Sequence, residues 1–412
     1  MTADLHRSVE TIWRLESTRL IAALVRITRD VGLAEDLAQD ALVAAMSQWP
    51  ESGVPSNPGA WLMAVAKRRA IDGFRRRERQ DAIYADMAGR EGEDVVDDIA
   101  AAVDHVEDDV LRLMFICCHP ALGSDAQVTL TLRLLAGLTT SEIARSFLTT
   151  ESTVAARITR AKKTLARVEA PMEEPADDER AERLTAVLRV VYLLFNEGYS
   201  ATTGDDWLRA DLCAEAIRLG RILAGLVPSD PEVHGLIALM ELQHSRAAAR
   251  TDASGAPVLL LEQDRSRWDG LLIRRGLAAL GRATSLGKEV GPYVLQAEIA
   301  ACHSRARTAD DTDWARIASV YSVLAAATGS AVVELNRVVA VSFAEGPAAA
   351  LDLLDAADFS ALDGYHLLPS VRGDLLTRLG RVDEARAEIT RAAGLTDNEQ
   401  ERTMLLQRAA DL

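Results

Sequence analysis

The chain has 412 residues, a formal net charge of −16, 49% hydrophobic residues and only 4% aromatics. That is material for two or three domains rather than one core, and the abundance of alanine and leucine favours helices over sheets. No apolar run approaches the ~20 residues needed to cross a bilayer, and the charged N-terminus MTADLHRSVETIWRLE has no signal-peptide core. The expectation is an all-α, cytoplasmic protein without a membrane partner.

The charge is unevenly placed. Residues 1–170 are nearly balanced, with 21 Lys+Arg against 25 Asp+Glu, whereas the remainder is strongly acidic, with 25 against 37. Within the first part the cations cluster in KRRAIDGFRRRER (67–79) and RITRAKKTLAR (157–167), with an acidic strip over 81–109 between them. Two basic islands point to two nucleic-acid contacts, with the strip between them kept off the nucleic acid.

In chain order, residues 5–48 read as helical. In LAEDLAQDALVAAM (33–46), Leu37, Ala38, Ala41, Leu42 and Ala45 recur at spacings of three and four, which leaves Asp36, Gln39 and Asp40 on the exposed face. WPESGVPSNP (49–58), with three prolines and a glycine, reads as a loop. A second helix is predicted from about Ala60 to Arg77, with Leu62, Ala66, Ala70 and Phe74 as its apolar ridge and Lys67, Arg68 and Arg75 facing outward. Residues 81–109 read as a mobile acidic linker with at most a turn of helix.

Helical pattern resumes near Val110. Cys117-Cys118-His119 invites a metal reading, but a structural zinc needs four ligands in spaced pairs and no second pair exists. Buried thiols before a helix-ending His-Pro are expected instead. In TTSEIARSFLTTESTVAARITRAKKTLA (139–166), Thr139 and Glu142 make a capping box for a short helix through Leu148. Thr149 and Thr150 form a turn, and a second helix follows with Val154, Ile158, Ala161 and Leu165 as its buried stripe. This is a helix-turn-helix whose second helix is the recognition helix.

PMEEPADDER (171–180) reads as a linker. Everything after it reads as helix upon helix, and FNEGY (195–199) reads as a helix end. Gly346 and Gly380 lie 34 residues apart, each ending one helix before an Ala-rich next one, and LGRVDEARAEITRAAGL (379–395) matches half a tetratricopeptide repeat. The chain contains no GxxxxGK[ST], HExxH or GxSxG signature, so no enzyme, catalytic residue, metal or cofactor is expected.

The order AEDLAQDALVAAM, loop, AWLMAVAKRRAIDGFRRR, acidic linker, GLTTSEIARSFLTTESTVAARITRAKKTL resembles the extracytoplasmic-function (ECF) RNA polymerase sigma factors. LRLMFICCHPAL, VVYLLFNEGYSAT, DRSRWD, GPYVLQAEIAACH and VELNRVVAV resemble a subgroup with a tetratricopeptide-like extension. The resemblance implies sigma region 2 over 1–80, a linker over 81–109, sigma region 4 over 110–170 and a regulatory helical domain over 180–412. It implies that Asp36, Gln39 and Asp40 dock on the clamp helices of the polymerase largest subunit, and that region 4 meets the polymerase flap.

The second motif would bind and melt the −10 element. Ser56 and Asn57, flanked by Trp49 and Trp61, would capture an extruded base, while Lys67, Arg68, Arg75 and Arg76 hold phosphates. At the −35 element, Ser152, Thr153, Ala155 and Ala156 would reach base edges, followed by Arg157, Arg160, Lys162 and Lys163. Alanine at 155 and 156 limits base-specific hydrogen bonding and favours thymine-methyl contact or DNA shape. The helical domain would modulate activity and offers a concave surface for a protein or peptide partner. The alternative is a non-sigma helix-turn-helix regulator with a tetratricopeptide-like interaction domain, which would lack the clamp motif and the melting loop.

Overall fold

A computed structural model describes residues 2–86, 106–147, 149–168, 177–200, 207–252, 258–396 and 398–412. Every regular element of three or more residues among them is a helix, and none is long and apolar enough to cross a membrane. The chain divides into two compact units, Met1–Val227 and Pro228–Leu412.

The first unit opens with α1 (Thr2–Thr28), α2 (Val31–Ser52) and α3 (Pro58–Asp86). Asp30 starts α2 by accepting the Leu33 N–H at 2.8 Å, and the stripe of Ala34, Leu37, Ala38, Ala41 and Ala45 is buried as its spacing requires. The expected loop over 49–58 is shorter than its prolines suggest. α2 runs on through Pro50 to Ser52 and is closed by the Gly53 N–H on the Trp49 carbonyl. The cause is Trp49, only 2% exposed, whose burial holds the last turn in register although Pro50 brings no N–H donor. α3 starts at Pro58, a favoured first-turn position, and extends nine residues beyond Arg77 to Asp86. The expected acidic linker therefore begins in helix, and residues 87–105 lie outside the described residues.

Four shorter helices follow: α4 (Val106–Cys117), α5 (Ser124–Leu134), α6 (Thr140–Ser146) and α7 (Glu151–Arg167). Cys117 and Cys118 are buried, and burial pushes the Cys118 thiol up to about 12. No cluster of metal-ligating side chains occurs among the described residues. Gly137 makes the turn into α6 with φ +69°, where a Cβ would also stand 3.1 Å from Ser17 Oγ.

α8 (Asp177–Ser200) and α9 (Trp207–Leu226) complete this unit. The sequence reading assigns them to a separate C-terminal domain from 180 onward; the structure packs them against α4, α5 and α6. Buried Arg183 donates to the Phe115 carbonyl at 2.9 Å, and Arg218 donates to the Leu135 carbonyl at 2.8 Å. The helix end expected at FNEGY falls slightly later: α8 ends at Ser200, one residue beyond Tyr199. α8 continues through Gly198, because Phe195 and Gly198 are buried and Phe195 stacks on Tyr199, with ring centroids 5.4 Å apart.

The second unit is a succession of sequence-adjacent helices: α10 (Pro231–His244), α11 (Gly270–Ser285), α12 (Pro292–Arg305), α13 (Trp314–Thr328), α14 (Ala331–Ala344), α15 (Pro347–Ala356), α16 (Leu367–Arg378), α17 (Val382–Leu395) and α18 (Glu399–Ala410). Most pack chiefly on their neighbours in sequence, as stacked helical hairpins do, while α12 packs most on α10, one helix removed. Gly346 and Gly380, at φ +101° and +75°, both sit between paired helices, at the spacing read from the sequence. Glu232 on α10 accepts the Gly291, Tyr293 and Val294 N–H groups at 2.8–3.1 Å, so one carboxylate caps α12 from a different helix.

Candidate nucleic-acid interface

The helix-turn-helix is built as its sequence dictates. Thr139 and Glu142 form the reciprocal capping box of α6. Burial pushes the Glu142 carboxyl up, but the Thr139 N–H and hydroxyl, with Arg14 and Arg145 nearby, hold it below its usual value. α6 ends at Ser146, two residues before the expected Leu148, which lies outside the described residues. Thr150 caps α7 by accepting the Thr153 N–H at 3.2 Å. Val154, Ile158, Ala161 and Leu165 are the buried stripe of α7. That stripe fixes which side chains face outward: Ser152, Thr153, Ala155, Ala156, Arg160 and Lys163 are all exposed.

Two residues expected on that face are held by protein instead. Arg157 Nη2 lies 3.2 Å from Asp125 Oδ2 on α5, and Lys162 Nζ lies 2.5 Å from Glu35 Oε2 on α2. Both positions flank the buried stripe, next to Ile158 and Ala161, so their long side chains fold back over neighbouring helices rather than outward.

The α3 region gives a mixed result. Ser56 and Asn57 are exposed, but Asn57 Oδ1 is engaged in capping α3, accepting the Ala60 N–H at 3.0 Å. Trp61 is half-buried and meets Trp49 edge-on, with centroids 5.4 Å apart. Trp49, expected beside the base pocket, is core and cannot stack on a base. Arg68 and Arg75 are exposed and Lys67 is half-buried along the flank of α3. Arg76 belongs to α3, and its side chain lies outside the described residues.

On α2, Asp36 and Asp40 are exposed, and Asp40 pairs with Arg69 of α3 at 2.8 Å. Gln39 is half-buried and donates to Glu35 Oε1 at 2.8 Å. With Leu42, Val43 and Met46 it lines a cavity of about 480 Å³ shared with α1 and with Arg133 and Glu142. Sequence reasoning missed Glu35. It is 4% exposed and also receives Arg133 Nε at 2.6 Å. Burial pushes its carboxyl up, but Arg133 and Lys162 outweigh burial and hold it below the ordinary carboxylate range. An acid one position before the exposed Asp36 on an amphipathic helix was the available signal; its partners, 98 and 127 residues away in sequence, carried none.

Comparison with known proteins matches this geometry to families. Residues 13–80 match sigma-70 region 2, and residues 112–165 match sigma-70 region 4. The chain is an ECF RNA polymerase sigma factor with a C-terminal extension. Residues 183–284 of that extension match a family of unknown function, DUF6596, which spans the boundary between the two units. An uncharacterized protein of Rhizobium meliloti (strain 1021) is 45% identical over 386 residues, covering 92% of this sigma factor and 90% of the relative. The ECF RNA polymerase sigma factor SigK of Mycobacterium ulcerans (strain Agy99) is 28% identical over 149 residues, 34% of this chain and 74% of its own. The probable ECF RNA polymerase sigma factor SigI of Mycobacterium tuberculosis (strain CDC 1551 / Oshkosh) is 29% identical over 143 residues, 34% of this chain and 48% of its own. No solved structure matches. As a sigma factor the protein is a transcription initiation factor that works with RNA polymerase core and promoter DNA.

Proposed function

We propose that α7 reads the −35 element and that the loop over 53–57 with α3 binds and melts the −10 element. The carrying observation is the outward face of α7: Ser152, Thr153, Ala155 and Ala156 stand exposed in its first turns, with Arg160 and Lys163 behind them, opposite an unbroken buried stripe. A capped helix presenting small side chains at its start and cations further on suits entry into a major groove and contact with the flanking phosphates. Ser56, the free part of the Asn57 amide and Trp61 receive the extruded base, while Lys67, Arg68, Arg75 and Arg76 hold the strand. Asp36 and Asp40 dock on the clamp helices of the largest polymerase subunit, with Gln39 at the edge of that contact, and region 4 meets the flap. In this reading region 2 occupies 1–80 and region 4 110–170, and the protein acts in the cytoplasm.

The extension modulates this activity. Its first two helices brace region 4 through Arg183 and Arg218, and its helical stack offers a surface for a protein or peptide partner. Purified chain added to RNA polymerase core without any other sigma factor tests the reading. Promoter-specific transcripts are expected, and they are lost with Arg160→Glu and Lys163→Glu. Normal transcription by that double variant overturns the assignment of α7.

A further inference from the structure

Two of the stretches that set the extension apart, DRSRWD (264–269) and GPYVLQAEIAACH (291–303), meet in the second unit. Most of DRSRWD has a structural task. Asp264 accepts the Ser266 N–H at 2.9 Å, and Asp269 starts α11 by accepting the Leu271 and Leu272 N–H groups at 2.7 and 3.1 Å. Arg265 donates to the His303 and Ala306 carbonyls and to Thr312 Oγ1, which ties the stretch to the end of α12. Trp268 is different. It is 8% exposed, with the Arg265 guanidinium 4.8 Å from its ring centroid, yet its buried indole N–H has no acceptor among the described residues. A buried tryptophan normally finds an acceptor, and a buried donor left without one is costly.

Trp268 forms part of the wall of a cavity of about 190 Å³ between α10, α12, α13 and the segment before α11. Leu239, Leu242, Leu260 and Ile299 give it apolar walls, and Arg246 and His303 join Trp268 in the lining. His303 Nδ1 is also buried without a partner among the described residues. Burial, with the guanidiniums of Arg246 and Arg265, pulls that imidazole down to about 4, so it is neutral at pH 7 and can carry its proton on Nδ1. Arg246, Trp268 and His303 therefore offer hydrogen-bond donors and one full positive charge. Among the described residues that line the cavity none is acidic, in a chain whose net charge is −16. Such a lining suits an anion. Water alone would satisfy the donors but leave the four apolar side chains without a matching surface.

We propose that this cavity binds a small carboxylic acid whose apolar body is about one ring in size, its carboxylate accepting from Arg246, the Trp268 indole and the His303 imidazole. The volume sets the size. A cavity of about 150 Å³ takes benzene, and this one is larger by about the space of a carboxylate. Arg246 sets the charge, because guanidinium and carboxylate form a charge-assisted pair. Inorganic phosphate matches the cation but leaves Leu239, Leu242, Leu260 and Ile299 uncovered. The lining comes from three helices and the segment before α11, so an occupant joins them and stabilises the second unit by mass action. The site lies wholly within that unit and is independent of the promoter-reading helices.

Sodium benzoate is the probe, with benzyl alcohol as its uncharged counterpart. The full-length chain, isotope-labelled at its tryptophan nitrogens, gives six indole signals in NMR, and Trp268→Phe identifies the one from Trp268. Benzoate is expected to move that signal downfield and to saturate with a dissociation constant of about 1 mM or tighter. Benzyl alcohol is expected to bind about tenfold more weakly, because it brings no charge to Arg246. Arg246→Gln, with folding checked by circular dichroism, weakens benzoate binding by a similar factor. Ala300→Leu fills the cavity while leaving all three donors in place, and it abolishes binding. Absence of a saturable shift of the Trp268 signal overturns the proposal. So does equal affinity for benzoate and benzyl alcohol, or wild-type benzoate binding by folded Ala300→Leu.

Discussion

Arg218 of α9 donates to the main-chain carbonyl of Leu135 at 2.8 Å, the same oxygen that Thr18 of α1 approaches from the other side at 2.8 Å. Leu135 closes α5, so one carbonyl ties the end of α5 to α1 and to α9. Removing either donor leaves the oxygen half-satisfied in a buried setting. Arg183→Ala, which removes the side-chain donor to the Phe115 carbonyl, is expected to destabilise the first unit by about 1–3 kcal/mol, read as a lower midpoint in urea. A chain ending at Ala170 uncovers the faces of α4 and α5 that α8 covers and is expected to lose cooperative unfolding, whereas one ending at Val227 keeps it. Equal stability of the two truncations contradicts this.

The exposed acids of α2 separate binding from folding. Asp36→Ala with Asp40→Ala is expected to weaken binding to polymerase core at least tenfold in a pull-down titration. Stability should fall by no more than about 0.5 kcal/mol, since the Asp40–Arg69 pair is an exposed one and such pairs contribute little. A large drop in helicity would place these residues in a structural role.

Charge reversal on α7 has graded consequences. Arg160→Glu and Lys163→Glu, at outward positions, are expected to lower promoter affinity steeply at low salt and to reduce the salt slope by about 2 relative to wild type. Arg157→Glu is expected to act less on the slope and more on folding, because Arg157 faces Asp125 and Thr129 of α5. Equal slopes for all three single variants would show that the outward and inward positions on α7 are not distinct.

His303 makes the second unit sensitive to acid. Burial pulls its imidazole down to about 4, and the neighbouring Arg246 and Arg265 act in the same direction. The unfolded chain binds this proton more readily than the folded one, so the contribution is full above about pH 6.5 and is lost as pH falls toward 4. The ceiling is about 3 kcal/mol. Histidine titration followed by NMR should place His303 well below the ordinary histidine value, and His303→Gln should flatten the loss of stability between pH 7 and 5.

Local features were legible in the sequence because their causes are local. The capping box at Thr139 and Glu142 and the stripe of Val154, Ile158, Ala161 and Leu165 depend on spacings of three and four residues, and both stand as read. The loop at 49–58 was misjudged because proline counts as a breaker unless something holds the turn, and the burial of Trp49 is a tertiary fact. The membership of α8 and α9 was illegible for the same reason: Arg183 finds Phe115 across 68 residues, and an arginine in an amphipathic pattern reads as solvated. Glu35, Arg133 and Lys162 each looked ordinary, and only folding makes them one cluster.

The boundary between Val227 and Pro228 changes what counts as a module in this protein. A recombination event, or an engineered chimaera, that joins a foreign sigma factor to this extension at the end of the region 4 match carries α8 and α9 away from the surface they were selected to fit. The transplanted pair arrives with its apolar side facing a host never shaped to receive it. A graft cut after Val227 transfers the hairpin stack as a self-contained part and leaves the host's own foundation untouched.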